Sequence, residues 1–262
     1  MKLPQKTLEK KLFKSGYRLI YAVDEVGMGC LAGPVVVCAV GITNTFYISQ
    51  RLTRLRRDKL HKNLSGLRES KLLSAAQREH FAAELLKEKD LVYALALASP
   101  KTIDRLNIYQ ASRLAMKRAV LRLANPKSEI RNPKQSPKIS NLKSENVLNF
   151  KNLDLDIVSN LVLRASDLKS IVLVDGKTKI KSLDMEQMAI VKGDRKVFAI
   201  ACASIIAKVY RDRMMTKYAK KYPGYGFEKH KGYGTKYHQA KLTSLGPCEI
   251  HRKSFAPVTK LI

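Results

Sequence analysis

Residues 19–37 read LIYAVDEVGMGCLAGPVVV. An apolar run of strand type ends in two adjacent acids, Asp24 and Glu25, and Gly27, Gly29, Gly33 and Pro34 follow at once. Unbroken apolar character marks a strand buried on both faces, expected here over 18–24. The link is short enough for the next apolar run, 34–41, to return beside it as an antiparallel neighbour. A carboxylate at the end of a buried strand carries a desolvation cost unless something cationic meets it. The stretch therefore predicts the centre of a sheet and a polar site at its end.

Outward from this hairpin, Leu8, Leu12 and Phe13 recur at helical spacing. Ser74 suits an N-cap for the helix AAQREHFAAELLKEK, and LVYALALAS reads as a third strand. One helix is expected over 103–124, where Leu106, Ala111, Leu114, Ala115, Ala119 and Leu121 are spaced by helical turns. SIVLVDG reads as a central strand ending in Asp175, a short strand fits 188–191, and a long helix fits 197–219. A loop rich in Gly, Tyr, Lys and His then leads into another helix. Strands followed by alternating helices and strands predict an α/β sheet covered by helices.

Two stretches break the pattern. Residues 43–68 carry Arg51, Arg54, Arg56, Arg57, Lys59, Lys62 and Arg68 against the single acid Asp58, as a phosphate-contacting segment or a solvated surface helix would. Residues 125–154 hold three prolines among Lys, Asn and Ser, the composition of a loosely ordered insertion.

Over its 262 residues the chain carries 50 Lys and Arg against 22 Asp and Glu, a formal net charge of +28. Such a field favours a polyanionic partner over an uncharged one, although a lysine-rich composition also suits a solvated surface. Trp is absent and no long basic amphipathic helix with aromatic anchors occurs, which argues against a membrane-surface role. No apolar run reaches the roughly 20 residues needed to span a bilayer, and the polar stretch MKLPQKTLEKKLFKSGYR has no signal-peptide core, so a cytoplasmic location is expected. Cys30, Cys38, Cys202 and Cys248 form no CxxC pair and read as reduced, semi-buried thiols.

The acids carry the chemistry. Asp24 and Asp175 both terminate apolar strands, and acids so placed converge at one edge of a sheet, where α/β folds build their sites. Asp194, in VKGDRK, lies between a predicted strand and a helix, where it serves either the same edge or as a helix N-cap. A cluster of hard oxygen ligands suits Mg2+ or Mn2+, and two such ions about 4 Å apart can activate a water and stabilise the leaving oxygen of a phosphodiester. Neighbouring residues on a regular strand point to opposite faces, so Asp24 and Glu25 share a site only if the strand ends or distorts there. Gly27 and Gly29 permit a sharp turn and close approach of backbone N–H groups to a ligand.

At these residues the chain resembles the ribonuclease HII family. The carrying segments, in order between about residues 8 and 258, are DEVGMGCLAGPV, GLRESKLLS, NIYQASRLAMKRAV, VLVDG, VKGDRKVFAIACASIIAKVYRDRMM, YPGYGFEKHKGYGTKYH and LGPCEIHRKSFAPV. The resemblance implies a ribonuclease H-like fold, a mixed five-stranded sheet flanked by helices. It divides the chain into a catalytic domain over 1–220 and a substrate-contacting helical region over 221–262. It implies endonucleolytic hydrolysis of the RNA strand of RNA–DNA hybrids, and cutting at ribonucleotides embedded in duplex DNA, with 5′-phosphate and 3′-hydroxyl ends. Asp24, Glu25, Asp175 and Asp194 match the family's metal-binding carboxylates, with Asp24 bridging two Mg2+ or Mn2+ ions. Tyr233, in KGYGT, matches the tyrosine placed against the ribose at an RNA–DNA junction, where a 2′-hydroxyl separates RNA from DNA; packing of a glycine-rich loop is its plainer reading. Gly27, Met28 and Gly29 form the substrate loop, and Ser70, Lys71, Ser204 and Lys208 are phosphate-contact candidates, Ser204 being equally readable as a satisfied helix hydroxyl. His230, His238 and His251 read as packing or phosphate-facing residues rather than bases.

Two positions depart from the family pattern. Met28 stands where the family usually has Arg, and its HIII relatives Lys, between the two glycines, which removes a charge-assisted phosphate contact worth about 1.5–3 kcal/mol and leaves hydrolysis expected but affinity and junction preference open. Glu69 stands where Asp is common, outside the metal set. A basic hybrid-binding protein without activity and a junction resolvase on the same fold are the rival readings. The intact carboxylates speak against the first, and the glycine loop together with KGYGT against the second. The chain ends FAPVTKLI, without a segment resembling a sliding-clamp-binding tail, so a monomer with no protein partner is expected.

Overall fold

The computed structural model of the chain describes residues 3–44, 64–88, 91–124 and 168–262; most of the basic stretch (45–63) and the polar insertion 125–154 lie outside them. One mixed sheet has the order β3-β2-β1-β4-β5, with β1 Leu19–Val26, β2 Val35–Thr43, β3 Leu91–Ala98, β4 Ser170–Asp175 and β5 Gln187–Ile190. β1, β2 and β3 form an antiparallel meander, whereas β4 lies parallel to β1 and β5 parallel to β4. The expected mixed five-stranded sheet is therefore present, with the quoted hairpin at its centre.

Alternate residues of β1 serve two cores. Ile20, Ala22 and Val26 face one, with α1 (Thr7–Lys14), α2 (Ala75–Leu86) and the first half of α6 (Phe198–Lys221). Leu19, Tyr21 and Val23 face the other, under α4 (Ile108–Ala124). Both faces are apolar because both are covered, and each such side chain removed from water contributes about 1.5–3 kcal/mol. No side chain at the N-cap Val197 closes the start of α6; Glu9 of α1, fully buried, accepts the Ala199 N–H at 3.0 Å instead.

Ser74 caps α2 in a reciprocal pair with Gln77, as expected. The single helix expected over 103–124 is two, α3 (Pro100–Leu106) and α4. Asn107 divides them: at φ 64 it ends α3, and its Oδ1 accepts the N–H groups of Tyr109 and Gln110 to start α4. All four cysteines are free. Among the described residues no helix is long and apolar enough to cross a membrane.

Candidate active site

β1 does not stop at its acids. It pairs regularly with β2 through Glu25↔Val37 and Val26↔Val36, whereas its ladder with β4 ends at Val23↔Val174. The expectation that the strand must end or distort at Asp24 is thus corrected. The two carboxylates straddle the strand just beyond the last parallel pair. Asp24 lies on the α6 side, hydrogen-bonded to Ser204; Glu25 lies on the other side, within the field of Arg113 of α4. Asp175, the last residue of β4, acts electrostatically on both. Its Oδ1 accepts the Gly193 N–H at 2.6 Å, which fixes the turn carrying Asp194. Gly193 is required there because a Cβ would lie 2.6 Å from Ile200 Cδ1 and 3.1 Å from Asp175 Oδ1. Asp194 sits inside the short helix α5 (Gly193–Lys196), whose N-cap is Lys192 and has no side-chain cap bond.

Burial and the charges of neighbouring carboxylates raise Asp24, Glu25 and Asp194. Asp24, 4% exposed, is pushed well above the carboxylate range by burial first and then by Glu25 and Asp175. Burial, then Asp175, pushes Glu25 up to about 7, against the pull of Arg113 and Lys71. Asp194 is raised by burial, Asp175 and Glu69, while Lys71 and Arg195 oppose this. Glu69, buried, is ion-paired to Arg195 at 2.6 Å.

Among the described residues no three His, Cys, Asp or Glu side chains are drawn together as the ligands of one ion, in keeping with carboxylates that straddle a strand and repel one another. The donor set nonetheless fits a hard divalent cation. It is all carboxylate oxygen, and Glu25 Oε2 is buried with no hydrogen-bond partner among the described residues. A cation would satisfy that atom and relieve the repulsion.

The glycine loop 27–34 is laced to the C-terminal region. Gly232 O accepts the N–H groups of Leu31 (2.8 Å) and Ala32 (3.3 Å), Gly33 N–H donates to Ile250 O, and Cys30 and Ala32 bridge to Tyr233 and His251. Tyr233 therefore stands against the loop, 37% exposed, hydrogen-bonded to Cys30, with Lys208 Nζ 5.7 Å and Arg211 Cζ 5.9 Å from its ring centre. Met28 packs, partly buried, at the edge of the core beneath α4, and Gly29 is exposed. Gly232, at φ +84, has room for no side chain, since its Cβ would lie 2.4 Å from Ala32 O. Gly232→Ala is expected to cost about 2 kcal/mol or more, read as a lower urea midpoint; an unchanged midpoint would show that the two segments are not locked together.

Ser70 and Ser204 are buried and hydrogen-bonded to each other at 3.0 Å, beneath the acids rather than on a surface. Lys71 is exposed and faces Glu25 and Asp194 electrostatically. Lys208 is ion-paired to Asp212 at 2.7 Å. Two of the three histidines, His251 and His238, form a neutral relay. Cys248 N–H donates to His251 Nδ1 (2.9 Å), leaving His251 Nε2–H to donate to His238 Nε2 (3.1 Å) and His238 Nδ1–H to donate to the Tyr233 carbonyl (2.9 Å). His230 stacks on His238 at 4.2 Å. Burial pushes His238 and His251 down to about 4.

Arg211, Arg252 and Arg113 escaped the sequence reading. Arg211 was accessible to it: Ser204, Lys208, Arg211 and Met215 are spaced so as to share one face of a helix. Arg252 carries no local signal, because its partners lie about 220 residues away in sequence.

Sheet order and helix layers define the fold class, ribonuclease H-like. The fold is shared with the crystal structure of the ribonuclease H2 from Pyrococcus horikoshii OT3 (TM-score 0.59, 22% identity, 93% of this chain and 96% of that one). It is shared also with the Bst ribonuclease HIII in complex with Mn2+ (TM-score 0.53, 15% identity, 94% and 70%). Sequence narrows the class: a family model described as Ribonuclease HII matches residues 22–151 and 129–258. The Ribonuclease HII of Caldicellulosiruptor bescii is 41% identical over 248 residues, 95% of this chain and 91% of that relative. The chain belongs to the ribonuclease HII family, and it is an enzyme, a ribonuclease.

Proposed function

We propose that the protein hydrolyses the RNA strand of RNA–DNA hybrids and cuts at ribonucleotides embedded in duplex DNA, leaving 5′-phosphate and 3′-hydroxyl ends, with Mg2+ or Mn2+ as cofactor. The observation that carries this reading is the placing of acids at one sheet edge: Asp24 and Glu25 follow the last β1–β4 pair, Asp175 ends β4, and the Gly193 N–H ties it to the turn of Asp194, next to the Gly27–Gly29 loop and Tyr233. Asp24, Glu25, Asp175 and Asp194 would hold the divalent ions, which when bound supply Lewis-acid polarisation of the phosphodiester oxygens. Ser204 holds Asp24 in place from α6, and the Gly193 N–H holds Asp175. Lys71, exposed beside the acids, is free to meet a neighbouring phosphate, and Lys208 adds positive charge under Tyr233. Tyr233 would lie against the ribose, and the Met28 and Gly29 N–H groups would meet its 2′-hydroxyl, the group that distinguishes RNA.

Product analysis on a labelled RNA–DNA hybrid with Mg2+ or Mn2+ tests this. Internal cuts with 5′-phosphate and 3′-hydroxyl ends are expected; cyclic phosphate ends, or salt-sensitive binding without cutting, would sink the proposal. Met28→Arg is expected to tighten binding of a duplex carrying one ribonucleotide by about tenfold or more through a charge-assisted phosphate contact. The Arg stem can cover the apolar surface that Met28 now covers while its head reaches solvent. Equal affinity of the two proteins would refute that contact.

A further inference from the structure

Two buried guanidiniums shape the loop between β1 and β2. Arg211 and Arg252 are both 0% exposed, and neither meets a carboxylate as an ion pair among the described residues. Their partners are main-chain carbonyls. Arg252 donates from Nε to Gly33 O (3.0 Å), from Nη1 to Met28 O (2.8 Å) and from Nη2 to Gly27 O (2.6 Å). Arg211 donates from Nε to Pro34 O (3.0 Å), from Nη1 to Lys231 O (2.8 Å) and from Nη2 to Ala32 O (3.1 Å). Gly27 makes room for this, since a Cβ there would lie 2.3 Å from Arg211 Nε.

The consequence for the amides follows from peptide planarity. In a trans peptide the C=O of one residue and the N–H of the next point in opposite directions. Carbonyls of Gly27 and Met28 drawn inward to Arg252 therefore turn the Met28 and Gly29 N–H groups outward. The amides of Leu31, Ala32 and Gly33 are spent on Gly232 O and Ile250 O, whereas those of Met28 and Gly29 have no acceptor among the described residues. Burying two like charges without counter-ions costs several kcal/mol, and Arg252 is held down to about 10 by burial, with Arg211 adding to it. Apolar side chains would fill the same space at no such cost, but they could not gather six carbonyls. Lysine could not either, because an ammonium lacks the planar fork of donors.

We propose that Arg211 and Arg252 are positioning residues for substrate selection: by collecting the carbonyls of residues 27–34 and 231 they hold the Met28 and Gly29 amides as a fixed pair of donors beside Tyr233, shaped for a ribose 2′-hydroxyl and its phosphodiester. This rests on the proposed function for its ligand, but not for its geometry. Native-state amide exchange on the wild-type chain should find Leu31, Ala32 and Gly33 slow, and Met28 and Gly29 fast. Protection of Met28 and Gly29 equal to that of Leu31–Gly33 would overturn the proposal before any variant is made. In Arg252→Lys and Arg211→Lys, protection at Leu31–Gly33 should fall while the β1–β2 amides keep theirs. In an Asp24→Asn background without divalent ions, the preference for a duplex carrying one ribonucleotide over the all-DNA duplex should drop on the order of tenfold to a hundredfold in either lysine variant. Lysine variants with a lowered Tm but the wild-type preference would reduce the arginines to packing and overturn the proposal. A wild-type chain showing the exchange pattern but no ribonucleotide preference would instead overturn the substrate reading, and leave the arginines' hold on the loop standing.

Discussion

Asp24→Asn lowers hydrolysis of an RNA–DNA hybrid by about a thousandfold or more, and the same substitution raises the Tm of the metal-free protein. The two effects have one cause. Asp24 is buried, and the charges of Glu25, Asp175 and Asp194 all act to disfavour its ionised form. The neutral amide of Asn removes that repulsion, keeps an oxygen for the Glu25 N–H now bonded to Asp24 Oδ1 at 2.7 Å, and still reaches Ser204. What it loses is the anionic ligand. A carboxyl raised in the folded state binds protons there that the unfolded chain has released, so stability falls as pH rises from the ordinary carboxylate value of 3.8. The variant should therefore be more stable by about 1–2 kcal/mol at neutral pH in a chelator and no more stable at pH 3.5. Divalent ions should stabilise the wild type more than the variant, since they bind the folded state. A variant that is inactive and also destabilised at neutral pH would mean that Asp24 is a structural residue whose charge the fold compensates.

Acid opens the C-terminal region through the histidine relay. His238 and His251 are buried, bonded to each other and neutral, with folded values of about 4 against 6.5. The groups packed around them are His230, the rings of Phe227 and Tyr225, the Tyr233 carbonyl and the Cys248 N–H; the Tyr233 carbonyl favours a proton on His238, but burial and His230 outweigh it. Stability from this cluster is fully present above about pH 6.5 and is lost as pH falls toward 4. Together the pair should cost about 2–4 kcal/mol by pH 5. The raised carboxylates work in the opposite direction over the same range, so the measurement belongs in a background carrying Asp24→Asn, Glu25→Gln and Asp194→Asn together. Urea midpoints at pH 7, 6 and 5 should then fall steadily, and His238→Gln should start lower at pH 7 but fall less. A flat profile would show that the relay is not buried in solution.

The two effects also mark what a linear sequence can carry. Both strand-end acids, the central hairpin, the long helix ending the first core and the Ser74 cap follow from local pattern, because each depends on residues within a few positions. Asn107 was overlooked because helical spacing continues through it; only its left-handed backbone breaks the helix. That the acids take opposite sides of β1 follows from strand alternation once the strand runs on through them. That they stand open beyond the sheet depends on where the β1–β4 ladder stops, and that is a property of β4. Helical spacing puts Arg211 on the face of Ser204 and Lys208, but what it and Arg252 hold is illegible for a related reason: their partners are carbonyls, which every residue possesses, brought within reach only when residues 27–34 meet 231 and 252. Ser204 looked like a helix hydroxyl or a phosphate contact, and its place between Ser70 and Asp24 depends on α6 packing against the sheet.

The most direct test of the central claim, that the strand-end carboxylates form the catalytic centre of an enzyme that recognises ribonucleotides, is cleavage of a labelled DNA duplex carrying one ribonucleotide, beside its all-DNA twin, with Mg2+ or Mn2+ and again with both chelated. Cutting confined to the ribonucleotide-containing strand, present with either ion and lost on chelation, is the predicted result. Cutting that survives chelation, or that treats the two duplexes alike, would contradict it.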